Sequence, residues 1–233
     1  MMIVDVQFTL QGDLIPADHG FHLFSAISHV VPELHGDSEV GLHLISGQIA
    51  GNRTLAINNH SLLSIRLPSD RISQILPLAG KALRLGEYEV RVGIPHTCAL
   101  VPSARLYSRL VVIKGFMEPE SFTEAVHRQL DTMGIKGKPY LVEQPHIAQA
   151  NRGKSTGTRS SYLRRTIQIR GREVVGFALK VDQLTAEESI LLQEQGVGGR
   201  RRFGCGIFIP DRSSTQHSGK APEGNSPEKS HHR

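Results

Sequence analysis

One short segment near the C-terminal end of the chain constrains the fold more than any other feature. Residues 196–206 have the sequence Gly-Val-Gly-Gly-Arg-Arg-Arg-Phe-Gly-Cys-Gly, and the apolar run Ile-Phe-Ile follows at 207–209. Glycine accepts positive φ and lets the backbone come close to a ligand, and arginine guanidinium groups match phosphate oxygens. This segment, called the glycine-rich loop below, predicts a basic turn that enters a buried strand ended by Pro210 and is suited to bind a polyanion.

The position of the glycine-rich loop argues against two common phosphate-binding folds. A dinucleotide fingerprint places its glycines after a strand and before a helix, whereas these glycines follow a helical pattern and precede a strand. A P-loop ends in Gly-Lys-Ser or Gly-Lys-Thr, and this segment does not. A plain glycine turn with three solvated arginines stays open as the simplest alternative, because runs of charge are often only solvated.

The composition favours an acidic partner. The 233 residues carry a net charge of +5 and a pI of about 9.4, which indicates nucleic acid first and a membrane surface second. The two cysteines, Cys98 and Cys205, have no metal or disulfide spacing and fit a reducing compartment. No apolar run approaches the roughly 18 residues of a membrane span, and the N-terminus does not resemble a signal peptide. We therefore predict a cytoplasmic protein without a membrane segment.

Hydrophobic periodicity predicts alternating strands and helices in the first half of the chain. Strands are expected at residues 3–10, 39–46, 61–67 and 82–92, and a short helix at 69–76. A longer helix is expected to begin at Asp18 as its N-cap, to bury Leu23, Phe24 and Ile27, and to end before Pro32.

The same order returns in the second half. A strand is expected at 106–115, a helix from Pro119, a hairpin of 166–169 with 174–181, and a helix opened by a capping box at 185–188. This split βαβ pattern predicts an α+β fold of two tandem ferredoxin-like (RRM-like) domains, 1–102 and 103–210, with the glycine-rich loop in the second. Residues 136–161 are predicted to form a long loop and 211–233 a disordered tail.

Positive charge is concentrated in the second half. The stretch 151–172 has no acidic residue and seven basic ones, Arg152, Lys154, Arg159, Arg164, Arg165, Arg170 and Arg172. Together with Arg200, Arg201 and Arg202 they predict a surface whose attachment to a phosphate backbone weakens with salt.

Five stretches of the sequence resemble a known family. The spacing of the glycine-rich loop, ahead of the last strand of a doubled ferredoxin-like pattern, is similar to that of the repeat-associated (RAMP) CRISPR proteins. Four further stretches resemble the precursor-CRISPR-RNA processing endoribonuclease of that superfamily, in its myxobacterial-type branch of type I systems. They are LIPADHG at 14–20, LAGK at 78–81, VIKGF at 112–116 and VGF at 175–177. The resemblance covers about residues 2–210.

The resemblance implies cleavage of CRISPR repeat RNA without a metal or cofactor. A ribose 2′-hydroxyl attacks the adjacent phosphate and leaves a 2′,3′-cyclic phosphate and a 5′-hydroxyl, which requires a base, usually histidine, and donors for the charged intermediate. It also implies other CRISPR effector subunits as partners, with the product crRNA retained by its 3′ hairpin. The alternative is a non-catalytic RAMP subunit that binds the same RNA. A basic protein that binds DNA or anionic membrane is a third hypothesis.

The family places its catalytic histidine in or just after the first helix, at a position that varies between branches. Three residues match those positions, and we rank them His35, then His29, then His19. Phosphate contacts from the long loop are assigned to Lys154, Ser155 and Arg159. The remaining RNA contacts are assigned to the hairpin and the glycine-rich loop, at Arg164, Arg165, Arg170, Arg172, Gly198, Gly199, Arg200, Arg201 and Arg202.

Overall fold

A computed structural model describes residues 2–144 and 162–211 of the chain, and it confirms the predicted α+β class. The described residues contain four α-helices, α1 (Gly20–Val30), α2 (Ile72–Ile75), α3 (Pro119–Thr132) and α4 (Ala186–Gln195). Short 3-10 turns lie at Pro32–Leu34, Ser69–Arg71, Leu76–Leu78 and Arg201–Phe203. No helix in the described ranges is long and apolar enough to cross a membrane.

The described residues also contain thirteen strands, which form three sheets. In chain order they are β1 (Ile3–Gln11), β2 (Leu14–Pro16), β3 (Gly41–Leu42), β4 (Gln48–Gly51), β5 (Thr54–Ala56), β6 (Leu62–Pro68), β7 (Ala82–Leu85), β8 (Tyr88–Ala99), β9 (Leu106–Val111), β10 (Lys138–Leu141), β11 (Arg164–Ile169), β12 (Arg172–Asp182) and β13 (Ile209–Pro210). The first sheet has the order β3-β6-β1-β8-β7. The second has the order β10-β12-β9-β13, with β11 also paired to β12, and a small third sheet has the order β2-β5-β4.

Several predicted boundaries are wrong in detail. The strand expected at 39–46 is reduced to β3, and the last strand is β13 instead of 207–209. Part of the predicted loop at 136–161 is the strand β10, which pairs with β12. Asp18 is not the N-cap of α1, because His19 takes that position without a side-chain bond and the Asp18 carboxylate accepts a hydrogen bond from the Gln168 N–H.

Helix α1 packs its apolar face into the core of the first half, as its periodicity predicts. Leu23, Phe24 and Ile27 are buried there together with the apolar residues of β1 and β6. The same cluster includes Phe203 and Cys205 from the glycine-rich loop. A second cluster lies around α3 and β12, where Phe122 and Phe177 are in ring contact. Val197 of the loop lies in this second cluster, so the glycine-rich loop packs against both halves.

Candidate functional site

The glycine-rich loop is tied to the second half at three points. The N–H groups of Gly199 and Gly206 donate to the carbonyl oxygens of Val112 and Leu110, at 2.9 and 2.8 Å. The Gly198 N–H donates to Oε1 of Gln129 on α3 at 2.8 Å. Because these bonds satisfy its backbone, the loop has a defined shape before any ligand binds.

The two ends of the loop touch each other, which explains the glycines at both ends. A Cβ on Gly196 would lie 2.2 Å from the carbonyl oxygen of Gly206, and a Cβ on Gly206 would lie 2.3 Å from that of Val197. The φ angles of Gly196 and Gly206 are 69° and 66°. A side chain at either position would force the ends apart, so the loop requires glycine to close at its base.

The three arginines of the loop have three different environments. Arg200 is exposed, with φ at 68°. The guanidinium carbon of Arg202 lies 5.4 Å from the centre of the Phe24 ring and 5.3 Å from that of Phe203, which is cation–π geometry. Arg201 points inward, and its Nε and Nη2 are shielded from solvent without a hydrogen-bond partner in the described part of the chain. Burial, together with the neighbouring charge of Arg66, lowers the pKa of Arg201 to about 10.

A groove of about 350 Å³ separates the glycine-rich loop from the turn after α1. Its walls are residues 36–38 on one side and 198–203 on the other. Asp37 on the first wall is ion-paired with Arg71 and accepts a hydrogen bond from the Glu39 N–H at 2.8 Å. Burial alone would raise the pKa of Asp37, but the bond and charge of Arg71, together with the backbone N–H groups of Glu39 and Val40, outweigh burial and lower it. Because Arg71 balances the Asp37 charge, the arginines of the loop determine the charge of the groove.

His35 lies at the edge of this groove, directly before Gly36. Its N–H donates to the carbonyl oxygen of Pro32 at 2.9 Å. Its ring stacks on Phe24, with the ring centres 6.2 Å apart and the planes 25° from parallel. Since Arg202 packs on the same phenylalanine, one buried ring contacts both an exposed imidazole and a guanidinium.

His29 is exposed in the last turn of α1, on the polar side predicted from the sequence. Its ring makes no hydrogen bond, ion pair or ring contact with any other residue that the structure describes. The fold therefore orients the imidazole of His35 but provides no such contact for His29.

His19 has no exposed surface and both of its ring nitrogens are occupied. Nδ1 lies 2.9 Å from the carbonyl oxygen of Pro16, and Nε2 accepts a hydrogen bond from the Ile45 N–H at 2.9 Å. These partners fix a neutral ring with its proton on Nδ1, and burial lowers the pKa of His19 to about 4. His19 joins two backbone segments and has no lone pair left to accept a proton, which contradicts its place among the candidate bases.

The hairpin of β11 and β12 presents three of the predicted RNA-binding arginines. Arg164, Arg170 and Arg172 are exposed on it. Arg170 and Gly171 form its two-residue turn with φ at 51° and 75°, the pair of positive angles that suits the twist of a tight hairpin. The predicted hairpin is therefore confirmed, but both strands are longer than expected and Arg172 belongs to β12.

Arg165 faces a cavity of about 250 Å³ between the two halves. Arg109 from β9 and the Asp18 carboxylate line the same cavity. The Nε of Arg165 and Oδ1 of Asp18 are both shielded from solvent without a hydrogen-bond partner in the described ranges. Burial, and then the charge of Arg165, lower the pKa of Arg109. The cavity, called the seam cavity below, adds Arg109 to the basic residues that the sequence indicated.

The family of this protein follows from its similarity to known proteins. A family model described as Cas6 Crispr matches residues 4–213. The chain belongs to the Cas6 family. It is also 34% identical over 223 residues to a CRISPR-associated endonuclease Cas6 of Myxococcus xanthus (strain DK1622), covering 95% of this chain and 88% of that protein.

Solved structures agree on the Cas6 fold at low sequence identity. A CRISPR-associated Cas6 protein superposes with a TM-score of 0.61 at 13% identity, covering 90% of this chain and 99% of the other. A Cas6-related protein from Pyrococcus furiosus gives a TM-score of 0.59 at 12% identity, covering 91% and 99%. A RAMP protein described as binding different RNA substrates gives 0.59 at 12% identity, covering 88% and 98%.

Three of the predicted site residues, Lys154, Ser155 and Arg159, lie outside the described residues. Within residues 2–144 and 162–211 there is no group of three or more His, Cys, Asp or Glu side chains placed to hold a metal ion. The sequence reasoning missed Phe24 as the support of His35, and it missed the buried pair of Asp5 and Arg66. A charged residue within each of two apolar strands was the signal for that pair.

Proposed function

We propose that this Cas6 family member is an endoribonuclease that cuts CRISPR repeat RNA in the groove between His35 and the glycine-rich loop. The observation that carries the proposal is the Phe24 ring, which contacts both His35 and Arg202 beside that groove. A base and a cation held by one rigid support match the two groups that cleavage by an internal hydroxyl needs. The Myxococcus xanthus relative, itself called an endonuclease, supports the same activity.

In the proposed reaction the imidazole of His35 takes the proton from a ribose 2′-hydroxyl. The 2′-oxygen forms a bond to the adjacent phosphorus while the bond to the 5′-oxygen breaks and that oxygen receives a proton. The products are a 2′,3′-cyclic phosphate and a 5′-hydroxyl, and no metal takes part. Histidine suits this step because its ordinary pKa lies close to neutral pH.

Arg200 and Arg202 are proposed to stabilise the negative charge that develops on phosphate. Both belong to the wall of the groove formed by residues 198–203, and Arg202 is oriented by Phe24 and Phe203. A guanidinium already in position costs little reorganisation when the charge appears. Arg201 is assigned no direct phosphate contact, because two of its three nitrogens are shielded from solvent.

The β11–β12 hairpin is proposed to bind a part of the RNA that lies outside the groove. Its exposed residues Arg164, Arg170 and Arg172 bring positive charge without an acidic partner in the described structure. Gly198 and Gly199 at the groove allow close approach of the RNA backbone. The protein is also proposed to keep the product crRNA bound by its 3′ hairpin, together with other subunits of a type I effector complex in the cytoplasm.

We also infer that the two large sheets are two ferredoxin-like units, 1–102 and 103–210. In the first, β3-β6-β1-β8 follows the spatial order second, third, first and fourth strand of a split βαβ unit. In the second, β10-β12-β9-β13 follows the same order. The hairpin strands β7 and β11 are additions to that pattern.

The test uses purified full-length protein and its cognate CRISPR repeat RNA in EDTA. Wild type should cut once per repeat and leave a 2′,3′-cyclic phosphate, and a 2′-deoxy substitution at the cut should abolish cleavage. His35→Ala should lower the single-turnover rate by about 10³-fold, the middle of the usual range for loss of a general base. His29→Ala should lower it less than tenfold. The exposed helical residue His127 serves as a matched control, and His127→Ala should cut at the wild-type rate.

Two outcomes would contradict this assignment. A normal rate for His35→Ala would remove His35 as the base, and an effect confined to His29→Ala would move the base onto α1. Tight binding of repeat RNA without any cleavage by wild type would favour the non-catalytic RAMP subunit. Equal affinity for duplex DNA would favour the general polyanion binder.

A further inference from the structure

Arg66 lies at the centre of the first sheet and is almost completely buried. It is 1% exposed and sits on β6, directly opposite Asp5 on β1 and Gly41 on β3. Strand alternation puts it on the sheet face opposite the buried residues Ile65 and Leu67. A buried arginine requires a partner for its charge and its donors, so its contacts show what it holds in place.

The guanidinium of Arg66 uses all three nitrogens. Nε donates to Oδ1 of Asp5 and Nη2 donates to Oδ2, both at 2.8 Å, which is a bidentate ion pair. Nη1 donates to the carbonyl oxygens of Gln193 and Phe208, at 2.8 and 2.9 Å. Nε2 of His43 lies 3.3 Å from Oδ1 of Asp5. Burial alone would raise the pKa of Asp5, but the bonds from Arg66 and His43 outweigh it and hold the pKa well below its usual range.

The two carbonyl groups bound by Nη1 belong to the two ends of the glycine-rich loop. Gln193 is in the last turn of α4, just before Gly196, and Phe208 follows Gly206. The last carbonyls of a helix have no partner within the helix, and a cation is favourable at that end. A single nitrogen from the first half therefore binds both ends of a loop that belongs to the second half.

We propose that Arg66 is a positioning residue that sets the glycine-rich loop against His35. It does not touch RNA, because it is buried beneath the base of the loop. By fixing both ends of the loop to the sheet that carries α1, it sets the width of the groove between His35 and the loop arginines. Asp5 holds the plane of the guanidinium and balances its charge. The catalytic part of this inference rests on the proposed nuclease function, whereas the fixing of the loop does not.

The first measurement follows the loop without RNA, by amide hydrogen exchange and mass spectrometry. Arg66→Lys keeps the charge but cannot make the bidentate pair and both carbonyl bonds at once. Exchange in the peptide covering residues 196–208 should rise at least tenfold, and peptides from α3 should exchange as in wild type. The matched control is Arg84→Lys, since Arg84 is an exposed strand arginine whose one hydrogen bond within residues 2–144 and 162–211 goes to the Gly86 carbonyl. In Arg84→Lys the peptide covering residues 196–208 should exchange at the wild-type rate.

The second measurement separates RNA binding from cleavage. In Arg66→Lys the single-turnover rate at saturating protein should fall at least tenfold, while Kd for the non-cleavable 2′-deoxy repeat changes less than threefold. A residue that only stabilised the fold would lower the folded fraction and leave the rate of saturated complex unchanged. The double variant Asp5→Leu with Arg66→Met removes both charges together, which often preserves stability, and it should show the same two effects.

The outcomes distinguish the two proposals. Faster loop exchange in a protein whose wild type does not cut RNA would leave the loop contact standing and reject the nuclease function. Wild-type loop exchange in both variants would overturn the positioning role, as would parallel losses of Kd and rate. Global unfolding of both variants would also overturn it, because the pair would then support the whole fold and not the loop.

Discussion

The two ends of helix α1 each carry a histidine, and the two environments are opposite. At the N-terminal end, His19 is buried with the Pro16 carbonyl on one nitrogen and the Ile45 N–H on the other. Beyond the C-terminal end, the ring of His35 is exposed and packs on Phe24. A histidine with two backbone partners stabilises the fold, whereas one oriented only by an apolar contact has ring nitrogens that can bind a ligand. The partners, and not the residue type, separate these roles.

Basic residues differ between the two ends as well. The seam cavity near the N-terminal end has Arg109 and Arg165 beside the carboxylate of Asp18. The groove at the other end has Arg200 and Arg202, with its own carboxylate Asp37 paired to Arg71. With a rise of about 1.5 Å per residue, the 11 residues of α1 keep the two regions roughly 16 Å apart. Each can therefore be altered separately.

The largest effect expected from the N-terminal end is a loss of stability in acid. The pKa of His19 is about 4 in the folded protein, below the ordinary value of 6.5. The contribution of the neutral His19 ring to the free energy of unfolding is therefore fully present above pH 6.5. It is lost as the pH drops toward 4, by on the order of 3 kcal/mol. His19→Gln should be less stable than wild type at pH 7 but should lose less stability between pH 7 and 4.5. Urea unfolding at both pH values measures the difference.

The control for this comparison is His127→Gln, which replaces an exposed helical histidine. Its pH dependence should equal that of wild type. Burial also lowers the pKa of His43, but His43 is present in all three proteins and cancels in the comparison. If the free energy of unfolding changed equally with pH in wild type and in His19→Gln, His19 would not be held neutral by the fold. Saturated RNA cleavage at pH 7 by folded His19→Gln should stay within threefold of wild type.

Local patterns predicted the elements around α1 better than the site itself. The spacing of Leu23, Phe24 and Ile27 gave the buried face of the helix, and Pro32 gave its end, because both are properties of neighbouring residues. The Ile45 N–H that donates to His19 is 26 residues away along the chain, and the Phe208 carbonyl bound by Arg66 is 142 residues away. No local pattern encodes such contacts, so the sequence could rank the three histidines only through the family resemblance and could not show that His19 is buried between two backbone groups.

The glycine-rich loop shows the same limit within three consecutive residues. Its glycines and its charge were evident from the sequence. The inward turn of Arg201 and the packing of Arg202 on Phe24 depend on Phe24 and Gly41 of the first half, which lie against the loop only after folding. Identical side chains in sequence therefore acquire different roles from tertiary contacts alone.

A moderate effect is expected at the C-terminal end when the support of His35 is removed. Phe24→Leu keeps an apolar side chain in the core but removes the ring that both His35 and Arg202 contact. The single-turnover cleavage rate should fall about tenfold, since a misplaced base reacts less often, while RNA affinity stays within threefold of wild type. Phe21→Leu is the matched control, because Phe21 contacts His22 and Phe203 but not His35. A rate for Phe24→Leu equal to that of Phe21→Leu would show that the stack does not orient His35.

The smallest effect is expected from the seam cavity, where Arg109→Gln tests whether RNA reaches the N-terminal end of α1. Loss of one phosphate contact should weaken repeat RNA binding three- to tenfold and reduce the slope of log K against log salt by about 1. Filter binding over a salt series measures both. Arg105→Gln is the control, because Arg105 is ion-paired with Asp182 and does not line the seam cavity. If the slope of log K against log salt were equal for Arg109→Gln and Arg105→Gln, the RNA would be confined to the hairpin and the groove. The two ends of α1 would then differ in function as His19 and His35 differ in environment.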